Sequence, residues 1–280
     1  MIIRVASDFL YILRTMRLKW ICVVFFICSL PGRLISQDFS GVVPIVVLNS
    51  SVRFNRIDDS KATPKLSYKN FIVPAALLTY GFVGLGNNAV STLDHKIQQQ
   101  VWVYNPHQLV KIDNYLQFAP AASVYLLNAV GIKGKDNFID RSGIFLLSNV
   151  FLGVTVYSLK ELTQKTRPNG DDNLSFPSGH TAEAFAGAEF MRLEYQDKSV
   201  WYSIAGYLMA GATGYLRIYN NKHYFSDVVA GAGVGIASTQ LAYWLYPKIK
   251  RIFYKDKPMH TLLMPSYSDG IFGFNFVRRF

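Results

Sequence analysis

Apolar residues gather into six segments, near 71–87, 115–131, 143–160, 181–193, 200–218 and 226–246, with Gly and Pro at their boundaries. Most of these segments run 13 to 21 residues, at or below the roughly 20 needed to span a bilayer as a helix. The pattern predicts an all-α bundle with no internal repeat. The 181–193 segment carries Glu183, Glu189 and Arg192 and reads as a buried amphipathic helix rather than a lipid-facing span. The 71–87 segment is the weakest, broken by Gly81, Gly84 and Gly86. Residues 37–70 are mixed and polar, with β-like runs at 42–48 and 51–57. Near the end, apolar residues flank Ser268-Asp269-Gly270; Asp-Gly favours a tight turn, so this stretch is a hairpin candidate, with an interfacial tail as the alternative. Pairing of that tail with residues 42–57 would put both ends on one side of a membrane and favour a bundle that dips into it.

The N-terminus reads as a targeting segment. Arg4, Arg14, Arg17 and Lys19 precede an apolar run from Trp20 to Leu30, about the length of a signal-peptide core. Cleavage is expected after Ser36, with Met16 an alternative start and an uncleaved anchor the competing reading. Both cysteines, Cys22 and Cys28, lie inside that run, so the processed chain is expected to contain neither disulfides nor a thiol nucleophile. The expected organisation is a signal peptide over 1–36, a polar extension over 37–70, a helical domain over 71–247 and a basic, aromatic tail over 248–280. Lys248, Lys250, Arg251, Lys255 and Lys257 follow the sixth segment, which places that end in the cytoplasm and the opposite end in the periplasm. Three full spans after a cleaved signal would instead carry Lys160 inward. One early segment that does not fully span, or a dipping bundle, reconciles the two rules.

Composition narrows the class. Half of the residues are hydrophobic and 17% are charged, a membrane-leaning balance. The net charge of +11 comes without a basic helix or a nucleic-acid motif, so anionic lipid headgroups are better partners than nucleic acid. No obligatory protein partner is evident. A basic pocket would also attract phosphorylated substrates.

Three short stretches within 68 residues supply the candidate chemistry: Lys160 with Arg167-Pro168, then Pro177-Ser178-Gly179-His180, then Arg217, His223 and Asp227. A phosphoryl transition state spreads charge over three oxygens. Lys160, Arg167 and Arg217 can surround those oxygens, the arginines in bidentate fashion. The run after Ser178 and Gly179 predicts a helix whose first N–H groups face an anion, and Gly179 permits close backbone approach. His223 and Asp227 are four residues apart and would share a helix face, the carboxylate fixing the tautomer of a nucleophilic imidazole. His180 is then the general acid. His95, His107 and His260 lack such partners and read as surface or interfacial side chains. Asp171-Asp172 reads as a solvated turn, and no metal-ligand spacing is recognised, so neither metal nor other cofactor is expected.

This order and spacing resemble the type 2 phosphatidic acid phosphatase superfamily, whose signature is Lys-x6-Arg-Pro, Pro-Ser-Gly-His and Ser-Arg-x5-His-x3-Asp. The one departure is Leu216 in place of the signature Ser, and the chemistry does not obviously need that hydroxyl. The resemblance implies a membrane-associated six-helix bundle, a phosphohistidine on His223 and acid catalysis by His180. It implies a phosphorylated lipid as substrate: a lipid A phosphate first, then phosphatidylglycerophosphate or undecaprenyl pyrophosphate, in a bacterial envelope with the site toward the periplasm. Alternatives are a nonspecific periplasmic acid phosphatase, a vanadium haloperoxidase and a non-catalytic membrane scaffold.

Overall fold

A computed structural model describes residues 67–253 and two later strands, Thr261–Ser268 and Ile271–Arg278. The expected signal segment, the runs at 42–48 and 51–57, both cysteines, Lys255, Lys257 and His260 lie outside the described residues. The helices are α1 (Lys69–Val83), α2 (Ala89–Gln98, continuing as a π turn over Gln99–Val103), α3 (Asp113–Leu116), α4 (Ala119–Ala129), α5 (Phe138–Thr163), α6 (Gly179–Tyr195), α7 (Val200–Tyr219) and α8 (Phe225–Phe253).

Eight α-helices therefore stand among the described residues where six were expected. Five apolar segments are each one helix, the 115–131 segment begins inside α3 and runs through α4, and α2 lies in the connection before it. The α2 sequence, Ala-Val-Ser-Thr-Leu-Asp-His-Lys-Ile-Gln, has too few apolar positions to register as an apolar segment. A cap starts it instead: the Asn88 side chain accepts from the Val90 and Ser91 amides at 2.9 and 3.2 Å.

The innermost helix is α6, packed against α4, α5, α7 and α8. Small buried residues (Ala182, Ala184, Ala186 and Ala188) let its neighbours approach closely, and Phe190 and Tyr195 fill the end away from the motifs. Helix α8 comes closest. A Cβ on Gly231 would lie 2.5 Å from the Ser178 carbonyl oxygen, and one on Gly235 would lie 2.2 Å from that of Ala182. Only glycine fits at these two positions, one helical turn apart, and they set the Pro-Ser-Gly-His turn against the start of α8. Helix α1 covers another side of α8, meeting it at Gly81 and Ala230.

Polar contacts fasten the other end of the bundle. Arg141 Nε donates to Glu194 Oε2 at 3.0 Å, Tyr243 donates to Glu194 Oε1 at 2.8 Å, and Lys250 Nζ lies 2.7 Å from Asp140 Oδ1. Of these only Arg141–Glu194 is a buried ion pair, and removing one partner of such a pair costs about 3–5 kcal/mol.

By length and composition, α5 and the stretch Phe225–Ile252 of α8 can each cross a membrane. They differ in cover: α8 is largely enclosed, whereas α5 leaves Leu146, Val150, Val154 and Tyr157 exposed along one stripe. The buried positions of α5 (Ile144, Ser148, Leu152 and Val156) repeat every fourth residue on another side. A single row of contact on one face, with apolar side chains uncovered on the other, is the pattern of a helix that meets lipid. Beyond α8, β1 (Thr261–Ser268) and β2 (Ile271–Arg278) pair antiparallel, from Thr261 with Arg278 to Ser268 with Ile271, leaving Asp269-Gly270 between the strands.

Candidate active site

Four helix ends meet at the motif-bearing end of the bundle. Lys160 lies in the last turn of α5, Ser178 immediately precedes α6, Arg217 lies in the last turn of α7 and Asp227 in the first turn of α8. Two connections complete the set, 164–178 with Arg167 and 220–224 with His223. At Gln164 the backbone turns left-handed (φ 44°) and its amide bonds the Lys160 carbonyl at 3.1 Å, which ends α5 and starts the first connection. Lys160 Nζ donates to the Leu174 carbonyl across that loop.

His223 does not lie on α8. Asp227 Oδ2 accepts from the Tyr224 amide at 3.0 Å, the reciprocal arm of a capping box. The helix accordingly begins at Phe225 and leaves His223 in the preceding turn, so the expected pairing on one helix face does not form. Asp227 Oδ2 is 3.9 Å from His223 Nδ1, beyond a hydrogen bond. The carboxylate is held by others: Ser175 Oγ donates to Oδ2 at 2.6 Å and Lys165 Nζ to Oδ1 at 2.8 Å.

The tautomer of His223 nevertheless follows from its neighbours. Arginine only donates, so Arg167 NH1, 3.3 Å from His223 Nε2, requires a lone pair there. The proton sits on Nδ1 and is donated to the Ser175 carbonyl at 2.8 Å. Burial, with the charges of Arg217 and Lys160 adding to it and Asp227 opposing, pushes the His223 pKa down to about 3. At neutral pH the ring is an uncharged base with Nε2 toward the cations.

His180 Nε2 donates to Asn114 Oδ1 at 3.0 Å. Burial and then the Arg217 charge lower its pKa to about 4, Asp113 opposing and Arg167 and Lys160 contributing. It too is uncharged at neutral pH.

Arg217 is buried, and its NH1 donates to Asp113 Oδ2 at 2.6 Å. Its Nε is the one buried side-chain donor or acceptor without a hydrogen-bond partner among the described residues. An orphaned buried N–H of this kind is costly, and an anion would satisfy it. Ser178 makes no side-chain cap to α6; its Oγ accepts from Thr181 Oγ1 at 2.9 Å, which leaves its own proton available to donate. A Cβ on Gly179 would meet only Val156, at 3.8 Å. No protein atom demands glycine there.

Asp171 and Asp172 are more than solvated turn residues. Asp172 Oδ1 accepts from Arg167 Nε at 2.6 Å, and Asp171 pairs with Lys222 Nζ at 2.7 Å, tying the first connection to the second. His107 is interfacial, stacked on Tyr219 with ring centroids 3.7 Å apart. Sequence reasoning missed Ser175, Lys165, Asp94, Asp113 and Asn114. Lys165, two residues before Arg167, was visible as a further cation in the same loop. The other contacts join positions far apart in the chain, and no local pattern marks them.

Residues 142–251 match the PAP2 superfamily. Over 142 residues, 50% of this chain and 32% of the relative, the sequence is 41% identical to a lipid A 1-phosphatase of Porphyromonas gingivalis. It is 36% identical over 78 residues, 28% of this chain and 36% of the relative, to the bacitracin transport permease protein BcrC of Bacillus licheniformis. It is 29% identical over 117 residues, 36% of this chain and 51% of the relative, to a lipid A 4'-phosphatase of Bacteroides thetaiotaomicron. The chain thus spans about a third to a half of the length of these relatives. The matched stretch holds α6, α7, most of α5 and α8, and every motif residue from Lys160 to Asp227.

Proposed function

We propose that this chain is a metal-independent lipid phosphatase that works through a phosphohistidine at His223, with lipid A phosphates as its first substrate class. One observation carries the reading: His223 presents an unprotonated Nε2 to Arg167, its proton held on Nδ1 by the Ser175 carbonyl, in a site where Arg217 Nε lacks a partner. Arg167, Arg217, Lys160, the Ser178 hydroxyl and the first N–H groups of α6 hold the phosphoryl oxygens and stabilise charge as it spreads in the transition state.

Nε2 attacks phosphorus, the bond from phosphorus to the lipid oxygen breaks, and His180 gives that oxygen a proton. The ring becomes positive on phosphorylation, and the Asp227 carboxylate 3.9 Å away offsets that charge. His180 then takes a proton from water as it attacks the phosphohistidine, releasing inorganic phosphate and restoring His223. His180 on its own is uncharged at neutral pH, so it acquires its proton with the substrate, whose negative charge offsets the surrounding cations.

The preference for lipid A rests on two relatives named as lipid A phosphatases and on the expected export signal, which would deliver the chain to the periplasmic side where that lipid is exposed. The uncovered apolar stripe of α5 suits a substrate that arrives within a bilayer.

The test is phosphate release by purified protein in detergent with EDTA present. Lipid A, phosphatidylglycerophosphate, undecaprenyl pyrophosphate and an aryl phosphate are offered, with His223→Ala alongside. Preferred release from lipid A, abolished in the variant, is the expected result. Equal turnover of all four identifies a nonspecific phosphatase. Activity restored only by a divalent ion, or retained in His223→Ala, refutes the mechanism.

A further inference from the structure

Outside the motifs, a buried charge relay runs up to Asp227 from the other side. Asp94 lies on α2, which the superfamily match does not include. It is 2% exposed, accepts the Ser226 amide on Oδ1 at 2.8 Å, and accepts the Ser226 hydroxyl on Oδ2. Lys165 Nζ lies 3.6 Å from Asp94 Oδ2 and donates to Ser226 Oγ at 3.1 Å and to Asp227 Oδ1 at 2.8 Å. The same ammonium sits 4.7 Å from the centroid of the Tyr224 ring. Two carboxylates thus share one cation, leaving one net negative charge behind His223.

Capping alone does not account for a charge at position 94. A neutral side chain with an oxygen acceptor would satisfy the Ser226 amide, and burying a carboxylate is costly. Burial does push the Asp94 carboxyl above its usual range, with Ser226 and Lys165 opposing. What the second carboxylate adds is a competing claim on Lys165. With Asp94 present the ammonium is divided, and Asp227 keeps a negative field toward the ring. Without it, the ammonium cancels Asp227.

We infer that Asp94 and Lys165 are positioning residues for the phosphoryl transfer, setting through Asp227 how strongly His223 is stabilised when its ring turns positive. The inference rests on the phosphohistidine reading above. The charged groups facing His223 are Arg167 from the 164–178 connection, Lys160 from α5, Arg217 from α7 and Asp227 from α8. Only Asp227 favours the positive ring, so its net charge has leverage. Asn at position 94 retains an oxygen for the Ser226 amide and can donate to the Ser226 hydroxyl, so the exchange removes charge with little change of shape.

The experiment measures kcat and KM from pH 2.5 to 9 on the best-turned-over substrate for wild type, His223→Ala, Asp94→Asn, Lys165→Met and the Asp94→Asn/Lys165→Met pair. Asp94→Asn, which lets Lys165 cancel Asp227, lowers kcat about tenfold with KM changed less than about twofold, whereas Lys165→Met leaves the field at the ring more negative and does not lower kcat through the ring. The acid limb moves to lower pH in Asp94→Asn and to higher pH in Lys165→Met, since the two changes alter the field in opposite senses. The double variant restores the net charge and recovers most of the lost kcat. Wild-type kcat in Asp94→Asn, acid limbs that move the same way, or a double variant no better than Asp94→Asn overturns the inference while leaving His223-dependent activity intact. Should Asp94→Asn not fold, the direction of the Lys165→Met acid limb decides. Activity indifferent to His223→Ala removes the phosphohistidine reading and this inference with it.

Discussion

Arg217→Lys isolates what the orphaned Nε contributes. Lysine keeps a positive charge for Asp113, whose Oδ2 now accepts from Arg217 NH1 at 2.6 Å, but has no second N–H at the Nε position. No protein group bonds that buried N–H, so an arriving phosphate oxygen gains a charge-assisted bond with no competing protein contact to break. Such a bond contributes about 1.5–3 kcal/mol, which corresponds to binding weakened roughly 10- to 150-fold in the variant. Titration calorimetry with inorganic phosphate or vanadate reads this directly. Thermal unfolding gives a second measure: ligand at 100 times its Kd stabilises the wild type by about 2.7 kcal/mol. At equal ligand concentration the variant loses about half of that gain or more. Equal affinity in the two proteins would mean that the anion does not reach Nε, and the assignment of Arg217 as a phosphate ligand would fall.

Gly231→Ala drives a Cβ to 2.5 Å from the Ser178 carbonyl oxygen; overpacking of about 1–3 kcal/mol and at least a tenfold activity loss are expected. Gly153→Ala, which meets no atom within 4 Å, is the control and leaves both unfolding midpoint and turnover unchanged or slightly raised. For pH dependence, His223 is protonated near pH 6.5 when unfolded and only near about 3 when folded, so the unfolded chain binds more protons between those values. Its contribution to stability is complete above about pH 6.5 and falls with acid, by about 2 kcal/mol at pH 5. Denaturant unfolding at pH 7 and pH 5 checks this, because His223→Gln should flatten the slope and an unchanged slope would contradict the assignment.

The parts of this molecule that were legible in the sequence are those written locally. An apolar run announces a helix wherever it occurs, and α1 and α4 to α8 announced themselves this way. The Pro-Ser-Gly-His turn gave away the start of α6, and alternation of helix direction brought the motif ends together. Helix α2 was not legible, because its stability comes from the Asn88 cap and from packing rather than from an apolar stripe. The relation of His223 to Asp227 was misread for a similar reason. A spacing of four suggests one helix face, but Asp227 uses an oxygen to cap the Tyr224 amide and moves the helix start past His223. Ser175 acts on His223 through a backbone carbonyl, which any residue type supplies and no residue type reveals. Asp113 and Asn114 reach Arg217 and His180 only after the chain has closed over a hundred and over sixty positions respectively.

The fit of α1 against α8 bears on how such domains can be recombined. Gly233 of α8 approaches the Pro74 carbonyl and the Leu77 and Leu78 side chains, and Gly84 faces Ser226 beside the start of the same helix. These footings all lie upstream of residue 142, where the recognisable stretch begins. Residues 142–251 are therefore a unit of similarity but not a transplantable module. Spliced behind a foreign N-terminal half, they would bring every motif and lose the helix against which α8 is seated. A productive exchange would cut ahead of α1 and carry 67–253 across whole.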